Sequence, residues 1–342
     1  MTTSGKVKAM SDQPIRVKWI GKHSHSPSSG WIAQIPQETT QFSHCHFIFD
    51  LYEKEYDWLI VEDDFPKILK NKPYTLNCPA EHTLFYTTEP SNITFYGAAF
   101  TSQFNWLVTS QKEDALPHRN AIRQATGNRW FYQKTYDQLN GEPLPLKKEV
   151  ISTVCSSKQM KHTLHEQRYQ FTQQLKQELP NLDIFGHGVR PIQYKSEALD
   201  SYKFHLTIEN YRGPHHWTEK LADAFLAGCC PIYYGCTNIL DYFPENSLIL
   251  IDINKPSEAI SNIKKAIDNP NEYEKRASAI YEARQKILDV YNLPVMLSTI
   301  IEKYHDHKKT PNHQLLYSRK RMRLHVPKEF IHFTNWKIRQ CF

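Results

Sequence analysis

Beyond residue 148 the chain alternates between two kinds of segment, and that alternation constrains its fold more than any other feature. EVISTVCSS reads as a strand, HEQRYQFTQQLKQEL as a helix, LDIFGHG and YKFHLTIEN as strands, TEKLADAFLAGC as a helix, and CPIYYG and SLILIDI as strands. The short runs are rich in Ile, Val, Phe and Tyr, whereas the longer ones carry apolar residues three and four apart, as one face of a helix does. Strands separated by helices argue for parallel βαβ units, hence an α/β lobe on a parallel sheet. Two further helical stretches, Pro256 to Val290 and Leu293 to His307, are expected to pack outside that lobe or to bridge back to the first half of the chain.

The first half is patterned differently. IRVKWIG, HFIFDL and DWLIVEDD read as strands, LFYTTEPSNI and FNWLVTS continue with short hydrophobic segments, and GEPLPLKKE, rich in Pro and charge, is the expected linker. A chain of 342 residues with 40% hydrophobic composition is long enough for two cores. The expected organisation is a polar tail over 1–13, an N-terminal lobe over 14–148, a second lobe over 149–307 and a basic tail over 308–342 that contains SRKRMRLH.

Composition excludes several classes. The net charge of +6 is a mild excess, scattered among acids outside the last forty residues, with no long basic stripe interleaved with aromatics, so a nucleic-acid binder is disfavoured. No window approaches the roughly 18 uninterrupted apolar residues of a membrane helix. The opening MTTSGKVKAMSDQP has no apolar signal core, and the seven cysteines form no CxxC pair. These features lead us to expect a reducing, cytoplasmic setting. The basic tail, with Leu315, Leu316 and Tyr317 beside it, invites weak peripheral contact with an anionic membrane, although a solvated tail is the simpler expectation.

The stretch YKFHLTIENYRGPHHWTEKLADAFLAGCCPIYYG carries the chemistry. In an α/β lobe, ligands bind beyond the carboxyl ends of the strands, where the next helices aim their free N–H groups. Thr218 stands at an N-cap position, and Leu221, Ala224, Phe225 and Gly228 give the helix a face to lay on the sheet. Lys220 then sits in the first turn, where a cation opposes the helix dipole by about 0.3–1 kcal/mol. That placement makes sense if a phosphate is shared between helix N–H groups and the ammonium. Glu209 and Asn210 end the preceding strand and offer an acceptor and an amide suited to sugar hydroxyls, which points to a sugar nucleotide.

YKFHLTIEN, WTEKLADAFLAGCCPIYYG and FPENSLI together resemble the donor-binding signature of glycosyltransferase family 10, the α-1,3/1,4-fucosyltransferases. Upstream, LFYTTEPSN and FNWLVTS are similar to that family's acceptor-side segment. The chain departs from the pattern at Ile208, where the family has an aromatic, and at Glu89, which runs directly into proline. The resemblance implies a GT-B-like α/β fold of two Rossmann-like lobes with the active site in the cleft between them. It further implies GDP-fucose as donor, an acceptor oligosaccharide or glycan precursor, and no essential metal or other cofactor. Residue by residue, it assigns Glu89 as the general base. It assigns Arg168, Glu209, Asn210, Thr218, Glu219 and Lys220 to the donor.

In such an inverting transfer, Glu89 takes the proton of the attacking hydroxyl while Arg168 and Lys220 offset charge on the departing diphosphate. Two other readings stay open: the same chemistry with another GDP-sugar, and a non-catalytic sugar-nucleotide or glycan-binding protein, for which Glu89 has no task. Glu62, Asp63 and Asp64 in VEDDF could hold a divalent metal, but a strand end capping a turn is the expectation. His23, His25, the His44-Cys45-His46 cluster, His215 and His216 lack structural-zinc spacing, although His215 and His216 lie where they could brush the donor. The lone GxG in GHGVRP is expected to be a turn, and the Asn92-Ile93-Thr94 sequon a chance match.

Overall fold

The computed structural model describes residues 13–22, 29–127, 129–157 and 163–340. The tail 1–12, His23, His25 and Cys341 lie outside them. In chain order the first lobe's strands are β1 (Ile15–Gly21), β2 (Gln41–Phe42), β3 (Cys45–Ile48), β4 (Trp58–Glu62), β5 (Tyr74–Thr75), β6 (Thr83–Tyr86), β7 (Trp106–Thr109) and β8 (Ala121–Arg123). All but β5 join one sheet in the order β2-β3-β1-β4-β6-β7-β8, parallel except at the β2 edge. The second lobe's sheet is wholly parallel, ordered β10-β9-β11-β12-β13 from β9 (Glu149–Val154), β10 (Asp183–Phe185), β11 (Tyr202–Ile208), β12 (Cys230–Tyr234) and β13 (Ile249–Leu250). Its helices include α1 (His165–Glu178), α2 (Glu219–Leu226), α3 (Pro256–Asp268) and α4 (Glu272–Asp289). The two expected Rossmann-like sheets are therefore present. The expected single stretch from Pro256 to Val290 is two helices, with Pro270 in the break, because proline has no N–H to donate and clashes with the preceding turn.

Central strands of the first lobe are apolar at both parities, so both faces need cover. Trp58 and Ile60 pack on one face with Leu293, Leu297 and Ile301 of α5 (Leu293–Tyr304), which thus bridges back from the second lobe. Leu59 and Val61 point the other way, into a cluster with Phe85, Phe100, Phe104 and Leu316.

Leu316 belongs to the segment expected to be a solvated tail, and that expectation is corrected. β14 (Leu315–Leu316) pairs antiparallel with β5, and α6 (Arg319–His325) and α7 (Pro327–Arg339) follow. Arg319 Nε reaches Asp64 at 3.3 Å and Ser318 Oγ donates to Lys70 O at 2.8 Å, so the segment is fastened to the first lobe. The lobe boundary also moves. Ala125, Trp130, Tyr132 and Leu139 lie in the second lobe's core, so that core begins near Ala125 rather than at 149, because large aromatics follow the surface that buries them and not the linker-like composition.

Candidate active site

Strand β11 ends at Ile208 and delivers Glu209 and Asn210 to the carboxyl edge of the second sheet. Glu209 is 0% exposed. Its carboxylate accepts from Thr218 N at 2.8 Å and Thr218 Oγ at 2.7 Å, and its Oε2 lies 3.4 Å from Lys220 Nζ. Its immediate partners are therefore the start of α2 and not open space for a ribose. Thr218 is the N-cap, extended, with its hydroxyl accepting from Lys220 N as its position foretold.

This arrangement explains a lysine in the first turn. Lys220 Nζ donates to Thr218 Oγ at 3.0 Å and to Glu219 Oε1 at 3.3 Å. Burial works to lower its pKa, but Glu219 and Glu209 outweigh that and hold it above the ordinary lysine value. Glu219, although burial pushes it up, is drawn down to about 2 by Lys220 and Lys195. Both groups are charged at neutral pH.

Arg168, in the first turn of α1, is 7% exposed. Its Nη1 donates to Asn210 Oδ1 at 3.0 Å, while its Nε is buried with no hydrogen-bond partner among the described residues. A buried guanidinium N–H without a partner among the described residues is uncommon and calls for an explanation. Arg168 lines a cavity of about 250 Å³ together with Lys195, Asn210, Glu219 and Lys220. Lys195, which sequence reasoning missed, pairs with the buried Asp223 at 2.8 Å. No local pattern marks it, because its partner is supplied by a helix 28 residues away.

A second cavity, of about 410 Å³, lies between the lobes. Glu62, Asp63, Glu89 and Arg129 line it with His216, Asn210, Glu219 and Lys220, so Asn210, Glu219 and Lys220 belong to both hollows. Glu89 lines only the inter-lobe cavity, whose wall it shares with Asn210, Glu219 and Lys220. Burial and Asp63 raise its pKa, and the charge of Lys220 opposes that rise.

Asp63 holds the Glu89 loop. With φ at +58° it turns at the end of β4, accepts from Thr88 N at 2.9 Å, and accepts hydrogen bonds from the hydroxyls of Thr88 and Tyr96. Glu89 N donates to Tyr96 Oη at 3.2 Å, and Gln111 Nε2 donates to Glu89 O at 2.9 Å. Asp64 accepts from Phe65 N at 2.9 Å and Arg319 N at 3.1 Å. The VEDDF acids are thus a strand end capping a turn, and no group of three or more metal-ligating side chains occurs among the described residues. His216 is buried, lines the inter-lobe cavity and lies 3.3 Å from Ser110 Oγ, while His215 turns away to Tyr242 Oη at 2.7 Å. Gly186 N donates to Arg190 O at 2.8 Å, so GHGVRP is a turn.

The final glycine of the stretch also has a steric reason. A Cβ at Gly235 would stand 2.5 Å from Glu209 Cγ and 2.7 Å from Tyr233 Oη. Only a residue without a side chain lets Glu209 reach Thr218 and Lys220.

Residues 144–310 match the family model for the glycosyltransferase family 10 (fucosyltransferase) C-terminal domain. The 4-galactosyl-N-acetylglucosaminide 3-alpha-L-fucosyltransferase 9 of Cricetulus griseus is 25% identical over 239 residues, which is 67% of this chain and 62% of that protein. The alpha-(1,3)-fucosyltransferase FucT of Helicobacter pylori is 33% identical over 99 residues, 29% of this chain and 20% of that one. A solved alpha1,3-fucosyltransferase superposes with a TM-score of 0.51 at 19% identity, covering 89% of this chain and 95% of that chain. That likeness shows a shared fold, the two-lobed GT-B architecture. The chain spans 62% of the length of the Cricetulus griseus relative, somewhat less than two thirds.

Proposed function

We propose, from the match of residues 144–310 to the glycosyltransferase family 10 (fucosyltransferase) model, that the protein transfers fucose from GDP-fucose to a hydroxyl of an acceptor glycan, with inversion and without a metal. The observation that carries this reading is that Glu89 of one lobe and Lys220 of the other line a single cavity. The diphosphate lies in the crevice of Arg168, Lys195 and Lys220, where the unpartnered Arg168 Nε meets an oxygen and the lysines supply compact charge. Asn210, held by Arg168, presents its amide to the sugar end.

The acceptor hydroxyl loses its proton to the Glu89 carboxylate as its oxygen bonds to the anomeric carbon. The bond from that carbon to the β-phosphate oxygen breaks, and its electron pair leaves with GDP. A raised pKa suits Glu89 to this exchange, since a stronger base takes the proton more readily. The cations on the other wall offset the leaving charge, so no carboxylic acid is needed to protonate the leaving group. Glu209 and Asp63 act one step removed, holding Lys220 and the Glu89 loop.

The name of the Cricetulus griseus relative describes transfer to a galactosyl-N-acetylglucosaminide, which makes that disaccharide the first acceptor to try. The test titrates purified protein with GDP-fucose, GDP-mannose and UDP-galactose, then assays transfer with Glu89→Gln as control. Selective GDP-fucose binding and transfer that Glu89→Gln abolishes support the reading. Equal binding of all three donors refutes the donor assignment, and binding without transfer refutes the enzyme.

The same proposal places the protein in the cytoplasm. The six described cysteines are buried and unpaired, as a reducing compartment favours. Exposed Leu324, Phe330 and Ile338 among the basic residues of α6 and α7 support peripheral contact with an anionic membrane, which co-sedimentation with charged and neutral vesicles checks.

A further inference from the structure

The segment from Thr88 to Tyr96 is a wall between two hollows. Thr88, Glu89, Pro90 and Ile93 line the inter-lobe cavity, whereas Ser91, Thr94, Phe95 and Tyr96 line a groove of about 910 Å³ on the far side. The groove's other bank is α7. Glu329, His332, Trp336 and Arg339 recur there at intervals of three and four, so one face of that helix is turned to it.

We propose that this groove binds the part of a neutral acceptor oligosaccharide remote from the reacting hydroxyl, an inference that rests on the transferase reading above. Three observations support it. The groove is preformed: Trp336 Nε1 donates to Ser91 O at 2.8 Å and Glu329 Oε1 accepts from Ala99 N at 2.9 Å, fastening the helix to the wall at Ser91 and to the chain just beyond it at Ala99. Its lining suits sugar rings, which have apolar C–H faces and hydroxyl edges. Phe95 and Trp336 present aromatic surface with ring centroids 6.3 Å apart, and the exposed His332 and Asn335 stand beside them as donors and acceptors. Its charged lining is balanced, Lys328 and Arg339 against Asp114 and Glu329, which gives no net pull on an anion.

Size and continuity identify the occupant further. The inter-lobe cavity of about 410 Å³ must hold the transferred sugar and the acceptor residue it joins, whereas the groove is more than twice as large. It lies at the upper end of the roughly 300–1,000 Å³ typical of ligand sites. A glycan whose reacting sugar lies at Glu89 has only the crest Pro90 to Thr94 to cross before entering it. On this view the C-terminal helices give the enzyme a preference for longer acceptors.

The experiment uses the full chain in two arms. The first titrates the protein, without donor, with a neutral tetrasaccharide ending in galactosyl-N-acetylglucosamine and with the disaccharide alone. The second compares KM for the same two acceptors in the presence of GDP-fucose. Wild type is expected to bind the tetrasaccharide about tenfold more tightly than the disaccharide, with a KM lower by a similar factor. Asn335→Trp, which fills the groove from an exposed helix position, is expected to abolish that advantage, while Ile331→Gln on the same helix, away from the groove, retains it. Equal affinities for the two saccharides in wild type, or an advantage that survives Asn335→Trp, would overturn the proposal. Tetrasaccharide binding that Asn335→Trp removes, in a protein that transfers nothing, would retain the groove and refute the transferase instead.

Discussion

Glu209 and Lys220 form one buried unit at the start of α2: the carboxylate, with no solvent exposure, lies 3.4 Å from the ammonium and also accepts both hydrogen bonds of Thr218. The anion beneath the helix start is what lets a cation stand above it. The ammonium side chain keeps 22% of its surface exposed and lines both cavities. A phosphate arriving there meets a lysine already oriented, at little conformational cost.

Removing either member should therefore damage stability as well as binding. Lys220→Met leaves Glu209 uncompensated, and breaking a buried pair costs about 3–5 kcal/mol. Denaturant titration is expected to show a loss of that order, and calorimetry a GDP affinity at least about tenfold lower. Glu209→Gln keeps the shape and part of the hydrogen bonding, so its stability loss should be nearer 1–3 kcal/mol. Glu209→Gln as stable as wild type would contradict the pairing.

Glu89→Gln should retain GDP-fucose binding while kcat falls by about 10²–10⁴, the usual worth of a positioned general base. The base acts as the carboxylate, and its pKa is raised by burial and then by Asp63, so kcat/KM should fall with decreasing pH through a value above the ordinary glutamate range. Asp63→Asn removes the like charge, and the acid limb should move to lower pH. A limb that stays in place, or moves up, would count against Asp63 as the neighbour that tunes Glu89.

Glu62 offers a separate test by stability. Burial, and then Asp63, push its pKa up to about 7. Between the unfolded value of about 4.3 and that folded value, the native protein binds more protons than the unfolded chain, so stability falls as pH rises across the interval. Glu62→Gln has nothing to ionise there. Thermal melts of the two proteins should therefore diverge above about pH 5, with the variant the more stable, and converge toward the acid side, where Glu62 is protonated in the folded and the unfolded chain alike.

At Gly235 an added methyl meets Glu209 and the Tyr233 hydroxyl inside ordinary contact distance. Gly235→Ala should cost about 1–3 kcal/mol by overpacking and weaken GDP binding through displacement of Glu209 from Thr218 and Lys220. Full stability with weakened binding would show that Glu209 shifts cheaply, and no change in either would remove the steric reason for this glycine.

Much of this architecture is legible in the amino-acid sequence. The parallel sheet of the second lobe, the N-cap at Thr218 and the strand end at Glu209 follow from runs of about ten residues, and each agrees with what the structure shows. Leu293 to His307 was open between two placements, and its apolar face found the first lobe's sheet. The packing of residues 308–340 is not legible in the sequence because the apolar residues that matter, such as Leu316, are few, and their partners lie more than 200 residues earlier on β5 and its neighbours.

The sequence by itself determined the order of strands and helices, the capped helix start and the residue types gathered near it, because hydrophobic periodicity and capping act over a few neighbouring residues. Only the tertiary structure decided that Glu209 is a buried support while Lys220 reaches the cavities, that Asp63 ties down Thr88 and Tyr96 beside Glu89, and that Lys195 joins the crevice. Those outcomes depend on which distant groups desolvate and neutralise one another. Pairing across tens to hundreds of residues leaves no local trace in the chain.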